Sequence, residues 1–183
     1  MKRLSVLILV ISVLVFNSCG GGGYYGIQER SKKTQSLKKY KKVRIGWLKL
    51  KTGLWKVYKY NSKGHWKGYL KKLNTELQGY AKKELSGKVV TGAKSKSDKS
   101  KGKGLYIKFS KVKPGPKFVD GRDFLYLTVH FIDGKSKKQL YKVSLKVMAD
   151  GWGVELSFTQ AVFYLSKFIE KEVNGKKHNL MTK

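Results

Sequence analysis

One cysteine, three histidines and two prolines are all that 183 residues contain of these types. The shortage removes structural or catalytic zinc, because His65, His130 and His178 are scattered and no Cys or His cluster exists to hold a metal. There is no GxSxG, no HExxH and no Walker-type phosphate loop. Asp120, Asp123, Asp133 and Asp150 mostly sit beside Gly, where turns use them for local hydrogen bonds. The expectation is a protein that is not an enzyme and needs no cofactor. Arginine is as scarce: Arg3, Arg30, Arg44 and Arg122 stand against 37 lysines. The Arg fork is what reads bases and grips phosphate bidentately, so this composition argues against sequence-specific nucleic-acid recognition. Long apolar runs are also lacking. The longest, LSVLILVISVLVF from Leu4 to Phe16, is interrupted by Ser5 and Ser12 and falls short of the roughly 18 apolar residues that span a bilayer.

What is present begins at that run. Met1-Lys2-Arg3 followed by a short apolar core has the length and flanks of a signal peptide over residues 1–18, with an uncleaved anchor as the alternative. The single cysteine closes it, in VLVFNSCGGGGYYG. Phe16-Asn17-Ser18-Cys19 resembles the bacterial lipobox, in which a small residue precedes a Cys that is acylated and becomes the new N-terminus. That resemblance implies a lipid on Cys19. Gly20 in place of the Asp that retains proteobacterial lipoproteins in the inner membrane implies an outer-membrane destination. The other reading is ordinary signal cleavage near residues 18–20 with a free thiol. Residues 19–42, rich in Gly and Lys and poor in apolar periodicity, are expected to form a flexible tether.

Without residues 1–18 the chain keeps 39 basic residues against 11 acidic ones, a net charge near +28. Such a charge favours acidic surfaces: anionic lipid, lipopolysaccharide, acidic glycan. A Lys-rich genome would give the same composition with no function attached. The densest cationic stretch is TGAKSKSDKSKGKG, residues 91–104, whose Lys94, Lys96, Lys99, Lys101 and Lys103 make it the candidate polyanion contact; it has no large apolar residue and is expected to be mobile. Residues 55–73, WKVYKYNSKGHWKGYLKKL, interleave aromatic and basic residues. Trp66, Tyr69 and Leu73 share a helical stripe and belong to a core, which leaves Tyr58 and Tyr60 as candidate exposed contacts.

Periodicity gives the rest. VRIGWLKL from Val43 alternates, and residues 55–60 suit a second strand across a Lys51-Thr52-Gly53 turn. Trp66, Tyr69, Leu70, Leu73, Leu77, Tyr80, Ala81 and Leu85 recur at helical spacing before Gly87. Three alternating strands follow, on Leu105–Phe109, Leu125–Phe131 and Tyr141–Val147, with a hairpin turn at Asp133-Gly134. A last helix is expected from Ser157, with Gln160 completing a capping box and Asn174-Gly175 ending it. The sum is an α+β, single two-layer domain over residues 43–175, with an antiparallel sheet of four to five strands and two amphipathic helices on one face, then a tail over 176–183. The order of elements resembles small α+β domains of bacterial envelope accessory lipoproteins. Two readings stand: from the lysine excess, a module that binds an acidic envelope component; and, as this resemblance implies, an accessory subunit of a larger envelope transport or assembly complex, bound through packed protein contacts.

Overall fold

The computed structural model describes residues 24–50, 63–94, 102–115, 122–150 and 154–175. Six strands and two helices alternate as β1 (Tyr24–Arg30), β2 (Lys42–Ile45), α1 (Lys63–Glu84), β3 (Val89–Gly92), β4 (Leu105–Pro114), β5 (Arg122–Asp133), β6 (Gln139–Asp150) and α2 (Val154–Asn174). The strands form one sheet in the order β1-β6-β5-β4-β2-β3. It is a mixed α+β sheet, not the wholly antiparallel one of four to five strands expected. The β1–β6, β6–β5 and β5–β4 pairs are antiparallel, whereas β2 runs parallel to both β4 and β3. The reason is α1. It carries the chain from β2 back to the start of β3, and a helical crossover returns a strand in the same direction.

The three long strands keep the alternation of the sequence. Leu105, Ile107, Phe109, Leu125, Leu127, Val129, Phe131, Tyr141, Val143, Leu145 and Val147 are all buried and belong to one core. Over them lie the two helices, packed on each other through Tyr80 against Phe163 and Trp66 against Phe158, with ring centroids 5.4 and 6.5 Å apart. Phe168 of α2 reaches the sheet at Phe131. Helix α1 buries the expected stripe and ends before Gly87. Helix α2 starts at Val154, three residues earlier than expected, so Ser157 lies buried within its first turns and is not a cap.

The larger departure concerns residues 19–42. From Tyr24 onward they are part of the domain, not a tether. Strand β1 pairs with β6 from Tyr24↔Met148 to Arg30↔Val143. Tyr25 is buried with its ring edge 5.2 Å from Phe168, and Leu37 and Tyr40 enter the same core. Electrostatics fix the end of the strand. Glu172 of α2, 7% exposed, accepts from Arg30 at 3.2 Å and Lys33 at 2.9 Å. Burial, and then the negative charge of Glu172, push the Tyr25 and Tyr141 hydroxyls up to about 12. The residues expected as a second strand, including Tyr58 and Tyr60, lie outside the described residues, as do Cys19 and the tail.

Candidate cationic sheet face

Both helices cover the same side of the sheet, so the other side presents the polar half of every alternating strand. Each rung follows from the register. Arg44 lies opposite Tyr106, and Tyr106 opposite Ile132. On the next rung Lys108, His130 and Lys142 stand side by side, then Ser110, Thr128 and Ser144, then Lys113, Tyr126 and Lys146. A bulge between Ser110 and Lys113 keeps the last rung in phase: it inserts Lys111 with φ of 51° and returns Val112 to the core.

At the β2–β4 end of this face the sheet opens into a cleft of about 90 Å³, lined by Lys42, Arg44, Lys103 and Tyr106 together with Gly102 and Gly104. Lys42 and Arg44 alternate with buried Val43 and Ile45, which is why both reach the helix-free side. The floor is tightly built. The Gly134 N–H donates to the Gly104 carbonyl at 2.7 Å, and a Cβ on Gly134 would come within 2.6 Å of the Gly102 carbonyl. Gly104 has φ of 131°, a conformation other residues rarely adopt. The Lys-rich stretch is thereby clamped at its exit to the turn after β5.

Of the five loop lysines, Lys94 and Lys103 are described and both are exposed; Lys96, Lys99 and Lys101 lie outside the described residues. The start of that stretch is not loop: Thr91 and Gly92 belong to β3, and the buried Ala93 follows before the exposed Lys94. The structure thus brings Lys103 together with Lys42 and Arg44, a convergence across 60 residues that local pattern cannot show. Lys108, Lys142 and Lys146 had a weaker signal, since each alternates with a core residue and looks like mere solvation.

Several acidic groups among the described residues are engaged elsewhere. Glu172 holds Arg30 and Lys33, Glu84 holds Lys167 at 2.6 Å, and Glu76 accepts from Thr159 at 3.1 Å. Asp133 organises the β5–β6 turn. One oxygen accepts from the Ser136 and Lys135 N–H groups at 2.6 and 3.0 Å, the other from the Tyr40 hydroxyl at 2.6 Å. Those bonds, led by that from Ser136 and then Tyr40, hold the Asp133 carboxyl down at about 2, while burial and this bond raise Tyr40 to about 12. A depressed carboxylate pKa favours the fold above the ordinary range near 4, and that contribution disappears as pH falls towards 2. Asp133→Asn is therefore expected to lower the melting temperature at pH 7 and to flatten its fall between about pH 4 and pH 2, read by thermal unfolding followed by circular dichroism. An unchanged acid limb would refute this assignment.

On the helix-free side the exposed carboxylate of Glu29 lies 3.9 Å from Lys142 and 3.4 Å from the Ser144 hydroxyl. His130 is engaged at both nitrogens, Nε2 to Ser110 Oγ and Nδ1 to Gln139 Oε1, each at 2.6 Å. Among the described residues no group of three His, Cys, Asp or Glu side chains could hold a metal ion, and no helix is long and apolar enough to cross a membrane.

No family model matches the chain, and no curated protein matches it either. Among solved structures the chain is similar to a PelC dodecamer subunit from Paraburkholderia phytofirmans, at 12% identity over 84% of this chain and 99% of that one, with a TM-score of 0.42. It is also similar to a neuraminyllactose-binding hemagglutinin homolog from Helicobacter pylori, at 14% identity over 78% and 87% of the two chains, with a TM-score of 0.35. Likeness at this level fixes neither family nor activity.

Proposed function

We infer that the protein is a bacterial envelope lipoprotein, exported by residues 1–18, acylated on Cys19 and held at the outer membrane, whose non-catalytic domain binds an acidic envelope component. The observation that carries the binding half is the sorting of charge. Lys42, Arg44, Lys103, Lys108, Lys113, Lys142 and Lys146 gather on the helix-free side, where Glu29 lies 3.9 Å from Lys142, while Glu172 and Glu84 pair with Arg30, Lys33 and Lys167 on the helical side. Exposed charges act over a Debye length of roughly 8 Å at physiological salt, so cations collected on one face and beside one cleft act together where scattered ones do not.

With the sheet beginning at Tyr24, residues 19–23 are what joins the lipid to the domain. Five residues span at most about 18 Å, so the domain is held close to its membrane. Replacing Lys94, Lys96, Lys99, Lys101 and Lys103 by Gln is expected to weaken binding to anionic vesicles or lipopolysaccharide, to make its salt dependence shallower, and to leave the melting temperature within a few degrees. Binding indifferent to both the replacement and ionic strength would point to the second reading, an accessory subunit docked through packed contacts. That reading has an observation of its own: the exposed apolar side chains Val89 and Ile27, 58% and 38% exposed, both lie on edge strands, where a partner strand or apolar surface can add.

A further inference from the structure

We propose that the helix-free face is built for a linear, carboxylate-bearing glycan lying across β4, β5 and β6, with Lys108 and Lys142 on its carboxylates and Ser110 on a sugar hydroxyl. This rests on the reading that the face takes polyanions, and it names which polyanion.

The centre of the face is His130. Lys108 stands opposite it on one neighbouring strand and Lys142 on the other. Two strand spacings separate the lysines, about 10 Å, so a uronate chain crossing the sheet can set the carboxylates of alternate units on them. The next rung, about 7 Å along the strands, carries the hydroxyls of Ser110 and Ser144, both half-buried, on either side of the buried Thr128, whose hydroxyl is 3.3 Å from that of Ser144, itself 3.4 Å from Glu29. Beyond it comes the rung of Lys113, Tyr126 and Lys146. Cationic rungs thus flank a neutral hydroxyl rung. Hydroxyls can also donate to phosphate oxygens, so the row discriminates only where a hydroxyl's own hydrogen is already committed, whereas a sugar chain offers donors as well as acceptors between its acids.

The hydrogen bonds at His130 sharpen the distinction. Gln139 Oε1 can only accept, which assigns the donor role to His130 Nδ1 over 2.6 Å; in the tautomer with a single ring proton that proton is on Nδ1. Nε2 is then the acceptor, and the Ser110 hydroxyl donates its proton to Nε2 over 2.6 Å. With its hydrogen committed inward, Ser110 Oγ keeps lone pairs for an incoming donor. A sugar hydroxyl supplies one; an ionised phosphate or carboxylate, being acceptor-only, is turned away from that atom and directed to the lysines beside it.

The test uses the mature chain from residue 19 with Cys19→Ser, polygalacturonate as the carboxylate glycan, and phosphatidylglycerol vesicles as the phosphate surface. Ser110→Ala changes no charge and is expected to weaken polygalacturonate binding about fivefold while vesicle binding is unmoved. Lys108→Gln with Lys142→Gln should weaken polygalacturonate by more than tenfold, with melting curves confirming the fold. Polygalacturonate binding indifferent to Ser110→Ala, or a loss shared equally with vesicles, overturns the proposal and makes the face a membrane-docking surface. Polygalacturonate binding that follows the five loop lysines but none of the face variants also overturns it, while leaving the polyanion reading standing. Absence of binding to both probes overturns both.

Discussion

Leu145→Asp is expected to unfold the domain. Leu145 is fully buried in the middle of β6, opposite Leu127 on β5 and Ile27 on β1. Losing its burial costs about 2 kcal/mol. The carboxylate put in its place has no partner on the core side and either stays charged at several kcal/mol or takes up a proton at a similar penalty. Domains of this size are stable by only about 5–15 kcal/mol, so the combined loss removes most of the margin. Leu127→Asp, 2% exposed on the same layer, should behave alike. Tyr126→Asp is the control. One residue from Leu127, it is on the helix-free side, with the Lys146 ammonium 5.9 Å from its ring, so a carboxylate there meets water and opposite charge. Its melting temperature should shift by only a few degrees. Chemical unfolding followed by tryptophan fluorescence would compare the three, and equal damage from all would refute the assignment of faces.

The same alternation explains why the middle of the sheet could be read from sequence and its margins could not. Strands β4, β5 and β6 put an apolar residue at every second position, and the helices repeat theirs at three and four, so period alone identifies them. Strand β1 has no such signature. It sits at an edge, only Tyr25 of its described side chains is buried, and a bulge between Ile27 and Glu29 breaks what period there is. Strand β3 is four residues long with an exposed–half-buried pattern, and its partner lies beyond a whole helix. Edge strands bury little and so carry little hydrophobic pattern, and parallel pairing with a distant strand leaves no turn to announce it. The cationic face was half legible for the same reason. Alternating lysines mark a solvated side of a strand, but only the register sets Lys108, His130 and Lys142 in one row, and only the fold brings Lys42 and Arg44 to Lys103.

Cys19→Ala is expected to move the protein from membrane to soluble fractions, or to leave it unprocessed, provided the membranes are washed at high salt. The condition follows from the domain. Among the described residues there is no helix able to cross a bilayer, and the exposed large apolar side chains are Ile27 and Val89, on edge strands separated by the four inner strands of the sheet. Charge at low ionic strength would hold even an unacylated protein on anionic lipid and hide the effect; high salt screens that contact and leaves the attachment to the proposed acyl chains. Each buried methylene contributes about 0.8 kcal/mol, and two or more chains give stable anchoring where one gives marginal binding, so the difference between variants should be nearly all or none. Mass measurement of the unaltered protein should find a mature chain beginning at Cys19 with acyl groups attached. A mature terminus at another residue, or a bare Cys19, would sink the lipoprotein reading while leaving the cationic sheet face to be judged by its own binding experiments.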